Sequence, residues 1–254
     1  MNGKHTLPAD IERTSMAIIT QELAAAGIEL PPQHAAVVKR VIHTTADFDY
    51  AQSLCFTPDA VARGVAALRQ GVSIVTDTNM AKAGVSKPSL AKLGGTVACF
   101  MADGDVARAA QENGTTRADA AMEKAAREYP GAVLAVGNAP TALLRLEALI
   151  ADGLRPALVV AVPVGFVNVV ESKERIFAAC RAAGHSRHGP QGRQQCGRGH
   201  LQRAALHGRG RTGPRPAGLA GLTAGPECGM ICPPGRRCMR CLSGRGRGYF
   251  EWMG

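Results

Sequence analysis

Three ionisable side chains at helical spacing, Arg40, His43 and Asp47, carry the chemistry this sequence offers most openly. At about 100° per residue, Val38, Val41, Ile42 and Thr45 fall on one stripe of a helix. Arg40, His43 and Asp47 then share the opposite stripe and face outward together. Histidine is the side chain best placed to exchange protons near neutral pH. An outward histidine beside a guanidinium reads either as part of a solvated helix face or as a proton donor and acceptor on the wall of a cleft. Spacing alone leaves both readings open.

Several elements must position that group. Pro31-Pro32 opens the His43 helix, and an earlier amphipathic helix over 9–26 starts at Pro8 and stops at Gly27. Ser15 lies inside that first helix, and Pro58 opens a third that ends at Gly71. From there strands and helices alternate. Apolar strands are expected at Ser73–Thr76, Thr96–Phe100, Ala132–Val136 and Ala157–Val162, with helices near 105–113, from Thr116 to Glu128, after Asn138 and over 169–183. Continuous apolar strands alternating with helices predict an α/β fold, a three-layer, mainly parallel sheet flanked by helices.

In such sheets ligands sit beyond the carboxyl ends of the strands. That edge is expected to collect Asp77–Met80, Gly137–Thr141 and Gly165–Asn168. Thr116 and Asn138 are good N-caps, and helix starts on this edge point backbone N–H groups at an anionic ligand. None of these loops matches a P-loop or a GxGxxG pattern, so no nucleotide cofactor is indicated.

The charge balance bears on one class of partner. The formal net charge is +10, yet beyond Gly184 the chain carries twelve Arg against Glu227 and Glu251, which leaves 18 basic and 18 acidic residues before that point. The body is neutral, so the basic pI is no argument for nucleic-acid binding. No apolar run approaches the roughly 20 residues of a membrane span, and no apolar leader is visible at the N-terminus. Cys55, Cys99 and Cys180 are scattered without pairing or metal spacing, which suits a reducing cytoplasm.

Read together, Val41-Ile-His43-Thr-Thr-Ala-Asp-Phe-Asp-Tyr50, Val75-Thr-Asp77-Thr-Asn-Met80, Gly114-Thr-Thr-Arg117, Gly137-Asn-Ala-Pro-Thr-Ala-Leu143 and Pro163-Val-Gly-Phe-Val-Asn-Val-Val-Glu-Ser-Lys173 resemble the precorrin-8 methylmutases of cobalamin biosynthesis. The resemblance covers roughly residues 8–184. Around His43 and Asp77 it is closer to the cobalt-precorrin-8 enzymes than to the precorrin-8X enzymes of the aerobic route. It implies an isomerase that shifts a methyl group from C-11 to C-12 of a corrin precursor. No redox, nucleotide or metal cofactor is implied. The implied assembly is a homodimer with the substrate, cobalt-precorrin-8 or precorrin-8X, near the subunit interface. The family's active-site histidine falls on His43, and its substrate-contacting serine and arginine fall on Ser15 and Arg40. Thr116, Arg117 and Asn138 are added as substrate-binding candidates, because a forked guanidinium and polar helix starts suit a ligand edged with carboxylates.

After Gly184 the pattern collapses, so the domain is expected to end there, with 185–254 an aberrant Arg/Gly/Pro-rich tail. The family pattern wants a further strand, a KGGS-type loop and a final helix, and the expectation is that this strand and helix are lost. Dropping one base after the Gly184 codon, with suitable synonymous codons, lets the segment be read as GIPAMARKGGSNVAAAICNALLYTAA, which is what the pattern wants. A frameshift accounts for the tail. Cys228, Cys232, Cys238 and Cys241 are too closely spaced for a zinc ribbon, whose pairs stand roughly 15–20 residues apart. The Arg-Gly stretches at 208–211 and 244–248 are what out-of-frame GC-rich sequence gives, so no nucleic-acid partner is assigned.

Overall fold

The computed structural model describes residues 7–185 and 229–232. An N-terminal helical hairpin, α1 (Pro8–Ala25) and α2 (Pro32–Thr45), leads through short α3 (Tyr50–Ser53) into β1 (Cys55–Phe56) and α4 (Ala60–Arg69). The alternating body follows: β2 (Ile74–Thr76), α5 (Asn79–Gly84), α6 (Lys87–Ala91), β3 (Val97–Ala98), α7 (Gly104–Glu112), α8 (Arg117–Glu128), β4 (Val133–Val136), α9 (Pro140–Ala151), β5 (Leu158–Ala161) and α10 (Val169–His185). Proline stands in the first turn of α1, α2 and α9, where its missing N–H costs no helical bond. Gly27 ends the first hairpin arm at φ +68°, a conformation that favours glycine.

The sheet order is β1-β6-β5-β4-β2-β3, with β6 being Gly229–Cys232. All neighbours are parallel except β1 against β6. Strand residues alternate between two cores, as the pleat requires. Val75, Leu134, Val136, Val159 and Ala161 pack with α7–α10 residues such as Val106, Met122, Leu146 and Ile176. Ile74, Val133, Ala135, Leu158 and Val160 pack on the other face with Leu68 and Leu90. A third cluster, including Ile19, Leu23, Val38, Val41 and Ile42, holds the N-terminal hairpin together. The expected three-layer α/β architecture is present.

Two expectations are corrected here. The place reserved for a lost strand is filled: Gly229–Cys232, from the Arg/Gly/Pro-rich tail, pairs in parallel with β5 and antiparallel with β1. The physical reason is local, since Gly-Met-Ile-Cys is an apolar tetrad and the outer edge of β5 offers unpaired backbone groups. Cys180, expected unpaired, is buried and disulfide-bonded, while Cys55 and Cys99 keep their thiols. Among the described residues no helix is long and apolar enough to cross a membrane. Cys228, Cys238, Cys241 and the Arg-Gly stretches lie outside the described residues.

Candidate active site

On the sheet's carboxyl edge, β2 leads through α5 and α6 to β3 on one side, whereas the neighbouring strand β4 leads through α9 to β5 on the other. Adjacent strands whose connections diverge open a crevice, the usual ligand position in this architecture. Asp77 follows β2 and Gly137–Thr141 follow β4, so both loops stand at that point. The segment after α2 reaches the same edge, because β1 enters at Cys55 opposite Cys232, the last residue of β6.

On the hairpin, Val38, Val41 and Ile42 are buried as expected, but Thr45 is exposed. Arg40, expected on the outward stripe, is buried. Its guanidinium pairs with Glu12 of α1 across the seam, because the antiparallel arm covers the stripe that a lone helix would leave wet. His43, one turn beyond Arg40, is half-buried, and Asp47 is exposed, accepting from the backbone N–H of Asp49 at 2.9 Å. Ser15 lies one turn beyond Glu12, half-buried, and its hydroxyl donates to the Ile11 carbonyl at 2.9 Å. The hairpin thus groups Ser15, Arg40 and His43 around the Glu12–Arg40 pair.

The second group sits on α8 and α9. Thr116 caps α8, its hydroxyl accepting from the Asp119 N–H at 3.1 Å, and it meets the Thr141 hydroxyl at 2.9 Å. Arg117 beside it is exposed and makes no ion pair among the described residues, so its fork is available to a carboxylate. Asn138 is exposed as well, but it does not cap α9 as expected. The N-cap position of α9 is Ala139, without a side-chain bond. The amides there go instead to Asp77, whose buried carboxylate accepts from Gly137 (2.8 Å), Asn138 (2.7 Å) and Ala139 (3.0 Å). The expectation that this helix start presents N–H groups to an anionic ligand is therefore overturned, because an internal anion occupies them. Neither α1 nor α2 packs extensively against α8 or α9, so the six candidates form two groups on different elements of the fold.

The comparisons with known proteins decide the family. The family model for precorrin-8X methylmutase matches residues 10–192. The chain belongs to the precorrin-8X methylmutase family. A cobalt-precorrin-8 methylmutase of Priestia megaterium is 42% identical over 170 residues, 66% of this chain and 75% of the relative. A precorrin-8X methylmutase of Pseudomonas aeruginosa is 41% identical over 172 residues, 67% of this chain and 81% of the relative. The crystal structure of a precorrin-8x methylmutase from Thermus thermophilus superposes with a TM-score of 0.61 at 36% identity, over 78% of this chain and 93% of that one. The chain is accordingly a methylmutase, an isomerase of cobalamin biosynthesis.

Within this methylmutase, sequence reasoning gave no role to three side chains that organise the two groups, Glu12, Asp77 and Thr141, although it placed the loops of the last two on the ligand edge. Asp77 carried a usable signal. An acidic residue directly after the apolar strand Ile74-Val75-Thr76 must be buried, and a buried carboxylate needs donors. The loop Gly137-Asn-Ala-Pro after a neighbouring strand offers them. Glu12 carried none, because its partner is 28 positions away. Large apolar side chains also stand exposed on the carboxyl edge: Met80, Val164, Phe166 and Val167.

Proposed function

We propose that this methylmutase acts on cobalt-precorrin-8, moving the C-11 methyl to C-12 to give cobyrinate, with His43 giving and retrieving a proton. A sigmatropic methyl migration needs no external nucleophile. Protonation of a pyrrole-type nitrogen favours the electron-poor ring system through which the methyl moves, and a positioned imidazole contributes roughly 10²–10⁴-fold by such a transfer. The observation that carries the reading is the half-buried placing of His43 one turn from the Arg40–Glu12 pair, on a hairpin that also holds Ser15. Arg117, Thr116 and Asn138 are assigned to the carboxylate rim of the substrate, and the exposed apolar edge suits the face of a macrocycle.

A homodimer belongs to the same reading. Ile11 and Ile18 are exposed at a spacing that puts Ser15 between them on one face of α1. A polar residue assigned to substrate, set in an uncovered apolar stripe, calls for a second copy to complete the site. The site of action is assigned to the cytoplasm. Two other readings concern the ligand: metal-free precorrin-8X as substrate, or corrinoid binding without turnover.

The test is His43→Ala, assayed with cobalt-loaded and metal-free substrate. The variant is expected to keep corrinoid binding, followed by absorbance titration, and to lose roughly 10²–10⁴-fold in kcat. Retained turnover removes His43 from the mechanism. Binding without conversion by both the wild-type and the frame-restored chain establishes the carrier reading, and faster conversion of metal-free substrate moves the assignment to the aerobic branch.

A further inference from the structure

We infer that Asp77 is the positioning residue of the substrate-binding rim, acting through the Gly137–Thr141 loop and the Thr116–Thr141 contact to set Thr116 and Arg117. The inference rests on the methylmutase reading for what the rim binds, but not for the relay itself. Asp77 is 1% exposed, and it makes no ion pair among the described residues. Isolated burial of a carboxylate is costly. Here three backbone N–H groups and the positive end of α9 offset that cost. Asp77 is also tied into the sheet, its own N–H donating to the Ala135 carbonyl of β4 at 3.0 Å. The carboxylate is therefore fixed at the crevice between β2 and β4, and the loop hangs from it.

The consequence travels two steps. A loop held at three successive amides fixes the first turn of α9, where Thr141 stands. Thr141 then meets Thr116 at 2.9 Å, and the same Thr116 hydroxyl accepts from Asp119 N–H to cap α8. Arg117, the first residue of α8, takes its position from that cap. The Asp77 charge also excludes a substrate carboxylate from the α9 amides, which leaves Arg117 and the α8 start as the place for one. Asp77 touches no substrate. It decides where the groups that do will stand.

Asp77→Asn in the full-length chain tests this with two readouts. The amide –NH₂ turns a donor toward backbone donors, so the loop loses its anchor. With His43 on α2, outside the relay, KM for the corrin substrate is expected to rise about tenfold while kcat stays within about threefold. Amide hydrogen exchange is expected to quicken both at Gly137–Ala139 and at Ala118–Ala120. Ile176→Ala, in the core on α10 and outside the relay, lowers the melting temperature and leaves KM unmoved. An unchanged KM, a kcat that falls in step with stability, or faster exchange confined to Gly137–Ala139 overturns the inference. Should Asp77→Asn fail to fold, Thr141→Val decides, since it removes only the hydroxyl contact. It must raise KM and quicken exchange at the α8 start, and if it does neither the relay is wrong. If neither the wild-type chain nor its frame-restored form turns anything over, the methylmutase reading fails, while the exchange experiment still decides the relay.

Discussion

Arg40 and Glu12 compete for one another with whatever anion approaches the hairpin. The Arg40 side chain is 10% exposed and the Glu12 side chain 44%. A substrate carboxylate assigned to Arg40 must therefore share it with Glu12. Glu12→Gln keeps the shape and removes the competitor. Because Arg40 is buried and Glu12 less than half exposed, the loss of the charge is expected to cost a few kcal/mol, read from the urea midpoint. KM is expected to fall. A raised KM would show that Glu12 aims the guanidinium instead of occupying it. Periodicity correctly identified Val38, Val41 and Ile42 as core, because a heptad-like apolar stripe is a property of one helix. It misplaced Arg40, because which polar stripe stays wet depends on the neighbouring arm, and no local pattern encodes that. Asn138 failed for a related reason: a good capping residue loses its role when a carboxylate from another strand reaches the same amides first.

At the scale of elements, the hairpin is tied to the sheet by an aromatic contact. His34, in the first turn of α2, stacks on Phe56 of β1 with ring centroids 3.9 Å apart and planes 9° from parallel. Burial lowers its pKa from the ordinary 6.5. On acidification the unfolded chain takes up this proton near that value, while the folded chain does so only at lower pH. The unfolded state then binds more protons, so stability falls as pH drops through about 6.5 and is full above it. His34→Phe keeps the stack and removes the proton. The variant is expected to lose less stability than wild type between pH 7.5 and pH 5.5, measured by urea midpoints, and an equal loss would place the pH sensitivity elsewhere. The long elements were legible from caps and periods: Pro8 to Gly27, Pro31-Pro32, and the apolar runs of β2, β4 and β5. β3 was expected too, at Thr96–Phe100, although only Val97–Ala98 pairs, whereas the two-residue strand β1 and the short helices α3, α5 and α6 were not. Elements that short carry no period, and their conformation is set by the neighbours they pair with.

For the whole molecule, the decisive feature is that the position between β5 and β1 is held by four residues of a tail whose composition is foreign to the rest of the chain. Met230 and Ile231 pair beside Val159 and Val160, and β6 packs against α4 and α10. The tetrad keeps the edge of β5 from standing open, which otherwise invites association between copies. A family-type C-terminus would supply that strand together with a loop and a closing helix, whereas the tetrad supplies the strand pairing. The reading of the tail as a frame error therefore makes a quantitative comparison. The chain with its frame restored after Gly184 is expected to stay monodisperse at higher concentration, to unfold at higher urea, and to turn over cobalt-precorrin-8 faster than the chain as it stands. Ile231→Asp in the present chain is expected to push the other way, toward aggregation, by placing a charge on the strand that pairs with both β5 and β1. Equal turnover and equal urea midpoints for the two C-termini, together with an uninterrupted reading frame and mass spectrometry of the tail, would make residues 185–254 a native part of this methylmutase, and the substitute strand its own solution to closing the sheet.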